Sequence, residues 1–112
     1  MGDEGKIPLG DIGSTLLFED DEIRIWELRL APGEVSAPHR HTCDCVIVDV
    51  AGDKIAAKAV PGYLMEYGDY IEAPVERGRT TFLTQGSVET AVNVGEKPYR
   101  NVLVEFKDTA RD

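Results

Sequence analysis

Glycine and proline punctuate this chain so evenly that few stretches of about ten residues escape one, and long helices do not survive that spacing. There are 11 glycines and 6 prolines. Between them lie short runs rich in β-branched residues, with Val, Ile and Thr together making 25 of the 112 residues. Such side chains favour strands. The runs expected as strands are Ser14–Glu19, Glu22–Leu30, Cys45–Ala51, Lys54–Val60, Tyr63–Tyr67, Asp69–Ala73, Arg79–Leu83, Val88–Val94 and Tyr99–Lys107. Turns fall at Ala31-Pro32-Gly33, Gly52-Asp53, Pro61-Gly62 and Gly95–Pro98. In Glu22–Leu30 the apolar phase switches at Ile25–Trp26, which predicts a bulge or a strand buried on both faces. Short strands at near-regular spacing predict an all-β sandwich or barrel.

The length fits one domain, 1–112, with a core over about 22–107 and frayed ends at Met1–Lys6 and Thr109–Asp112. The net charge of −9 repels phosphate, which excludes nucleic acid and anionic membrane surfaces as partners. No apolar run reaches the roughly 20 residues of a membrane span, and the first residues lack the basic and apolar regions of a signal peptide. The two cysteines, Cys43 and Cys45, are one residue apart. Their Cα atoms would lie near the upper limit for a disulfide. They are expected to be reduced, in a cytoplasmic protein.

The only two histidines are His39 and His41. On a strand both rings point to one face, and the same parity reaches Cys43 and Cys45. Imidazole and thiol suit zinc, iron, nickel or copper rather than magnesium or calcium.

The spacing Gly33-x5-His39-x-His41-x3-Cys45-x6-Gly52 resembles the first cupin motif, G-x5-H-x-H-x3-E-x6-G, with Cys45 in the glutamate place. Gly78-x5-Thr84-x-Gly86-x2-Glu89-x3-Asn93 is similar to the second, G-x5-P-x-G-x2-H-x3-N, with Glu89 in the histidine place. A second register, starting at Gly68-x5-Pro74, fails at Glu76 and Arg79. The chain thus resembles small RmlC-like cupins. That resemblance implies a double-stranded β-helix (jelly-roll) barrel with a metal or ligand site in its mouth. Carried over position by position, the metal ligands would be His39, His41, Cys45 and Glu89. Cys43 falls at no ligand place. Two imidazoles, a carboxylate and a thiolate form a shell fit for zinc, iron or nickel.

Other roles stay open for several of these residues. Cys45 also fits a small buried apolar position, and Glu89 a solvent-facing one. Asp44 and Arg40, of opposite parity, fit solvent or cross-strand pairing. Asn93 fits a turn support before Gly95, and Gly33, Gly52, Gly78 and Gly86 fit turns with unusual backbone angles. Trp26, Leu28, Phe82 and Val104 fit the barrel interior, as plain core or beside the ligands. Tyr63, Tyr67 and Tyr70 fit either a pocket rim or a subunit contact.

Two functions follow from the resemblance. One is a metal-dependent enzyme of dioxygenase, isomerase or lyase type, acting on a small organic molecule. The alternative is a non-catalytic small-molecule-binding cupin whose metal site has degraded. No general base outside the ligand set is visible. A homodimer is expected in either case, since a small sandwich has edges to cover; a module serving only such contacts is a third reading.

Overall fold

The structure is a computed structural model that describes residues 9–63 and 68–110. Met1–Lys6 and most of the Tyr63–Tyr67 run lie outside those residues. The described strands are β1 (Thr15–Glu19), β2 (Ile23–Leu30), β3 (His39–Arg40), β4 (Asp44–Ala51), β5 (Lys54–Ala59), β6 (Tyr70–Pro74), β7 (Thr80–Leu83), β8 (Val88–Asn93) and β9 (Tyr99–Phe106). They form two antiparallel sheets, ordered β1-β2-β9-β4-β7 and β3-β8-β5-β6. A short 3-10 turn, Lys107–Thr109, follows β9. Thr109 is tied down rather than frayed, because its hydroxyl donates to the Phe106 carbonyl and accepts from the Asp44 N–H.

The phase switch in β2 has a specific cause. β2 runs against β9 in unbroken register. The bulge lies across from the switch, in β1 between Leu16 and Phe18, which face Trp26 and Ile25. From Trp26 onward the inner face of β2 carries Trp26, Leu28 and Leu30, while the outer face turns charged at Glu27 and Arg29. Glu27 accepts from both Arg29 and Arg100 there.

The core lies between the sheets. One buried group joins Ile12, Cys45, Leu83 and Leu103, with Trp26 and Ile47 against it. Another joins Leu28, Leu30 and Tyr99, with Ile55, Val75 and Ala91. Burying aliphatic side chains of this size is worth about 1.5–3 kcal/mol each. Register decides which residues face inward. Cys45 pairs with Leu83 and Val46 with Phe82, so Leu83 is buried while Phe82 is 57% exposed. Val46 also pairs with Val104, which puts Val104 on the outer face as well. Phe82 and Val104 therefore do not line the interior as expected; Trp26 and Leu28 do point inward.

Gly33, Gly52, Gly78 and Gly86 all adopt positive φ. Gly52 has a second reason to be glycine: an added Cβ would lie 3.0 Å from the Tyr99 ring. Tight packing there holds Tyr99 against the inner face of its strand.

Candidate metal centre

β3 is only two residues long, yet it positions the cluster. His39 pairs directly with Glu89 of β8, so their side chains share a face. Beyond β3, the His41 N–H donates to the Ser87 carbonyl at 2.8 Å and its own carbonyl accepts from the Gly86 N–H at 2.7 Å. That pairing keeps His41 in the same ladder, two residues on, and so on the same face as His39. Both rings are buried. They meet edge to face, with centroids 5.0 Å apart.

One donor atom each from His39, His41 and Glu89 lies within 4.8 Å of the others. The His41 Nε2 is 2.8 Å from the Glu89 carboxylate. The His39 Nδ1–H donates to the Ala37 carbonyl at 2.9 Å, which fixes the tautomer and leaves Nε2 with its lone pair. Burial pushes the His39 pKa down, with the nearby His41 adding to it; a neutral ring is the form a metal binds. Burial pushes Glu89 up, but the hydrogen bond from His41 and the influence of both histidines outweigh it and hold the carboxyl below its usual range. It therefore stays ionised.

Cys45 stands at a different edge. Its Sγ is 3.7 Å from the His41 Nδ1, the ring nitrogen opposite the one facing Glu89. The thiol is fully buried. Burial, with the charges of Glu105 and Glu89, pushes its pKa up to about 12, so it keeps its proton. The structure thus brings His39, His41 and Glu89 together and sets Cys45 behind His41, touching the ring from the far side. Cys43, also buried, is 3.7 Å from an Arg24 nitrogen. Both cysteines are free.

The donor set fits a transition metal. Ligand atoms of a tetrahedral zinc site lie roughly 3.4 Å apart, a spacing between the 2.8 Å of the His41–Glu89 pair and the 4.8 Å that bounds the cluster. Nitrogen and carboxylate donors suit zinc, iron or nickel.

The cluster forms part of the wall of a cavity of about 340 Å³. The rest is mostly apolar, including Leu28, Ile47, Ile55, Leu83 and Leu103. Six further polar residues line the cavity without being legible as site residues in the sequence: Asp49, Glu72, Arg79, Thr81, Tyr99 and Asn101. A signal existed in β9, where Tyr99, Asn101, Leu103 and Glu105 share the buried parity. Polar residues on a core-facing parity are informative when buried. Glu105 accepts from Arg24 and from the Trp26 indole N–H, both near 2.9 Å, and so occupies the stretch beyond Leu103. Asn93 supports its turn, accepting from the Gly95 N–H. Arg40 is exposed and lies over the Tyr63 ring at 5.7 Å. Asp44 accepts from the Gln85 N–H. Tyr70, on β6, is 49% exposed.

No family model matches the chain, and no curated protein is similar to it. Solved structures are. A cupin domain from Bordetella pertussis Tohama I superposes with a TM-score of 0.71 at 20% identity, over 91% of this chain and 98% of that one. A double-stranded β-helix protein of Klebsiella pneumoniae gives 0.63 at 18% identity, over 100% and 96%. The DMSP lyase DddQ of Ruegeria pomeroyi gives 0.59 at 16% identity, over 83% of this chain and 42% of that enzyme. These likenesses fix the fold: this is a small domain of the cupin fold, a double-stranded β-helix. Among the described residues no helix is long and apolar enough to cross a membrane.

Proposed function

We propose that this chain is a metal-dependent cupin that binds zinc, iron or nickel through His39, His41 and Glu89 and acts on a small organic molecule in the adjoining cavity. The observation that carries the reading is the convergence of three donor atoms within 4.8 Å on the cavity wall. A metal held there would act as a Lewis acid on a ligand carbonyl or carboxylate. The chain's own residues do the rest. The Ala37 carbonyl orients His39, Cys45 orients His41 from its second nitrogen, and a mostly apolar wall flanks the donors. Dioxygenase, isomerase and lyase chemistry all use such a site. The two buried thiols suit a reducing cytoplasm. The test is the metal content of protein purified without chelator, compared with His39→Ala and His41→Ala.

Cys45 was the fourth ligand implied by the resemblance; in this proposal it orients instead. Cys45→Ser then leaves about one metal per chain and weakens affinity roughly tenfold, the range for outer-shell partners. Loss of the metal in that variant, measured by equilibrium dialysis, would make the thiol a ligand.

A specific observation favours the second reading, non-catalytic binding of a small molecule. His41 and Glu89 satisfy each other directly at 2.8 Å. In that case chelator leaves the melting temperature unchanged.

We also propose a partner for the outer face of the five-stranded sheet. Phe18, Ile25, Val104, Val46 and Phe82 stand in one cross-strand row, one residue from each strand. Phe18 is 49% and Phe82 57% exposed. Five strands about 4.8 Å apart, the longer ones rising about 3.3 Å per residue, give a face of roughly 500 Å² in projection. Its accessible area is larger, on the order of the ~800 Å² per partner of stable interfaces. A row that crosses the whole sheet is self-complementary, as a two-fold interface requires. The occupant proposed is a second copy of this chain. Light scattering at micromolar concentration is expected to give the dimer mass, and Phe82→Glu the monomer mass. A wild-type monomer would end the proposal.

A further inference from the structure

The cavity has a second polar end that the metal cluster does not use. Asp49 of β4 and Asn101 of β9 are direct cross-strand partners. Tyr99 lies two residues from Asn101, on the same face of β9. All three line the cavity, and Asn101 is only 4% exposed.

The hydrogen bonds among them have a fixed direction. A carboxylate can only accept, so the Tyr99 hydroxyl donates to the Asp49 Oδ1, at 2.9 Å. Burial and the Asp49 charge push the Tyr99 pKa up, so the hydroxyl keeps the proton it donates. Its oxygen then accepts from the Asn101 Nδ2, also at 2.9 Å. Flipping the amide would set two lone pairs face to face and strand the NH₂ group as well. The Asn101 Oδ1 is therefore left over. Among the described residues it is the one buried side-chain nitrogen or oxygen without a hydrogen-bond partner. Native proteins leave few buried acceptors unpaired, because each costs its lost hydration.

A cationic group stands at the same end. Arg79 is the single lysine or arginine among the described cavity residues. Its backbone carbonyl accepts from the Asp49 N–H at 3.0 Å, and one guanidinium nitrogen is held by the Pro74 carbonyl at 2.9 Å. A guanidinium fork matches a carboxylate. A cavity of about 340 Å³ is at the small end for ligand sites.

We infer that this end of the cavity is a subsite for a small carboxylic acid carrying a hydroxyl or amino group: Arg79 takes the carboxylate, and the Asn101 Oδ1 accepts from the O–H or N–H. The inference rests on the cavity being the ligand site proposed above, but not on the metal. It makes Asn101 and Arg79 specificity residues, with Asp49 and Tyr99 holding the Asn101 amide in register.

Three probes share one carbon skeleton: lactate, alanine and propionate. Titrated into the metal-free protein and followed by NMR, lactate or alanine is expected to bind at least about tenfold more tightly than propionate, the order expected for one paired buried acceptor. In Asn101→Leu, nearly isosteric, that preference disappears. In Arg79→Leu, an exposed position that leaves the fold intact, all three weaken together. Circular dichroism checks that each variant folds, and the wild-type comparison stands even should Asn101→Leu not fold. Equal binding of the three probes overturns the inference, as does no saturable binding of lactate or alanine. So does a preference that survives Asn101→Leu, which would mean that solvent satisfies the oxygen. Zinc uptake measured on the same samples separates the two proposals: zinc bound without probe selectivity ends the subsite and leaves the metal reading standing.

Discussion

Replacing His39 or His41 by alanine should empty the metal site, taking protein purified without chelator from about one zinc, iron or nickel ion per chain to none. Each histidine supplies one of the three donors that converge among the described residues. Glu89→Ala should leave two imidazoles and a weaker site. The same ion should appear in stability, because metal bound only by the native state adds RT ln(1 + [M]/Kd), about 2.7 kcal/mol at a hundredfold excess over Kd. In a chain this small that corresponds to a melting shift on the order of 10 °C. Chelator should remove the shift from wild type and do nothing to either histidine variant. Differential scanning calorimetry with and without EDTA, beside elemental analysis, reads both effects. Near-zero metal in all three proteins, with no response to EDTA, would sink the metal reading and leave the cavity as a plain binding site.

Asn93→Ala should be among the most destabilising single changes. Asn93 is fully buried. Its Nδ2 donates to the Leu30 and Lys97 carbonyls, each at 2.9 Å, and its Oδ1 accepts from the Gly95 N–H at 3.0 Å. One side chain thus ties the end of β2, the end of β8 and the turn into β9. Truncation removes three hydrogen bonds and strands their partners. At about 1–1.5 kcal/mol for each bond, the loss is roughly 3–4 kcal/mol, or a fall on the order of 15 °C in melting temperature. Asn93→Asp is expected to be no better, since it keeps the acceptor but loses both donors and buries a charge. Urea denaturation midpoints decide it. A change below about 1 kcal/mol in Asn93→Ala would mean that the turn stands without it.

Much of the site is legible in the sequence. His39 and His41 announce themselves by being the only histidines and by their alternate spacing. The glycines that flank them mark turns that only glycine adopts cheaply. Glu89 was legible only through spacing, since nothing local distinguishes a buried glutamate on a strand from a solvent-facing one. Cys45 shows the limit of parity. It lies on the same face as the histidines, yet its sulfur meets the far nitrogen of His41 rather than the point where the other donors converge. Phe82 and Val104 show it again. Alternation says that neighbours take opposite faces, and the pairing of Cys45 with Leu83 says which face is inside.

The amino-acid order by itself determined that this chain is built of short strands and carries paired imidazoles near its first long turn. Those are local properties, set by backbone preference and a two-residue period. Only the tertiary structure decided that Glu89 reaches His41 from 48 positions away, and that Asp49, Tyr99 and Asn101 form a directed chain ending in an unpaired oxygen. The physical reason is that such contacts depend on how strands register against one another. Register follows from the packing of the whole core and the direction of every hydrogen bond within it, and no short stretch of sequence encodes it.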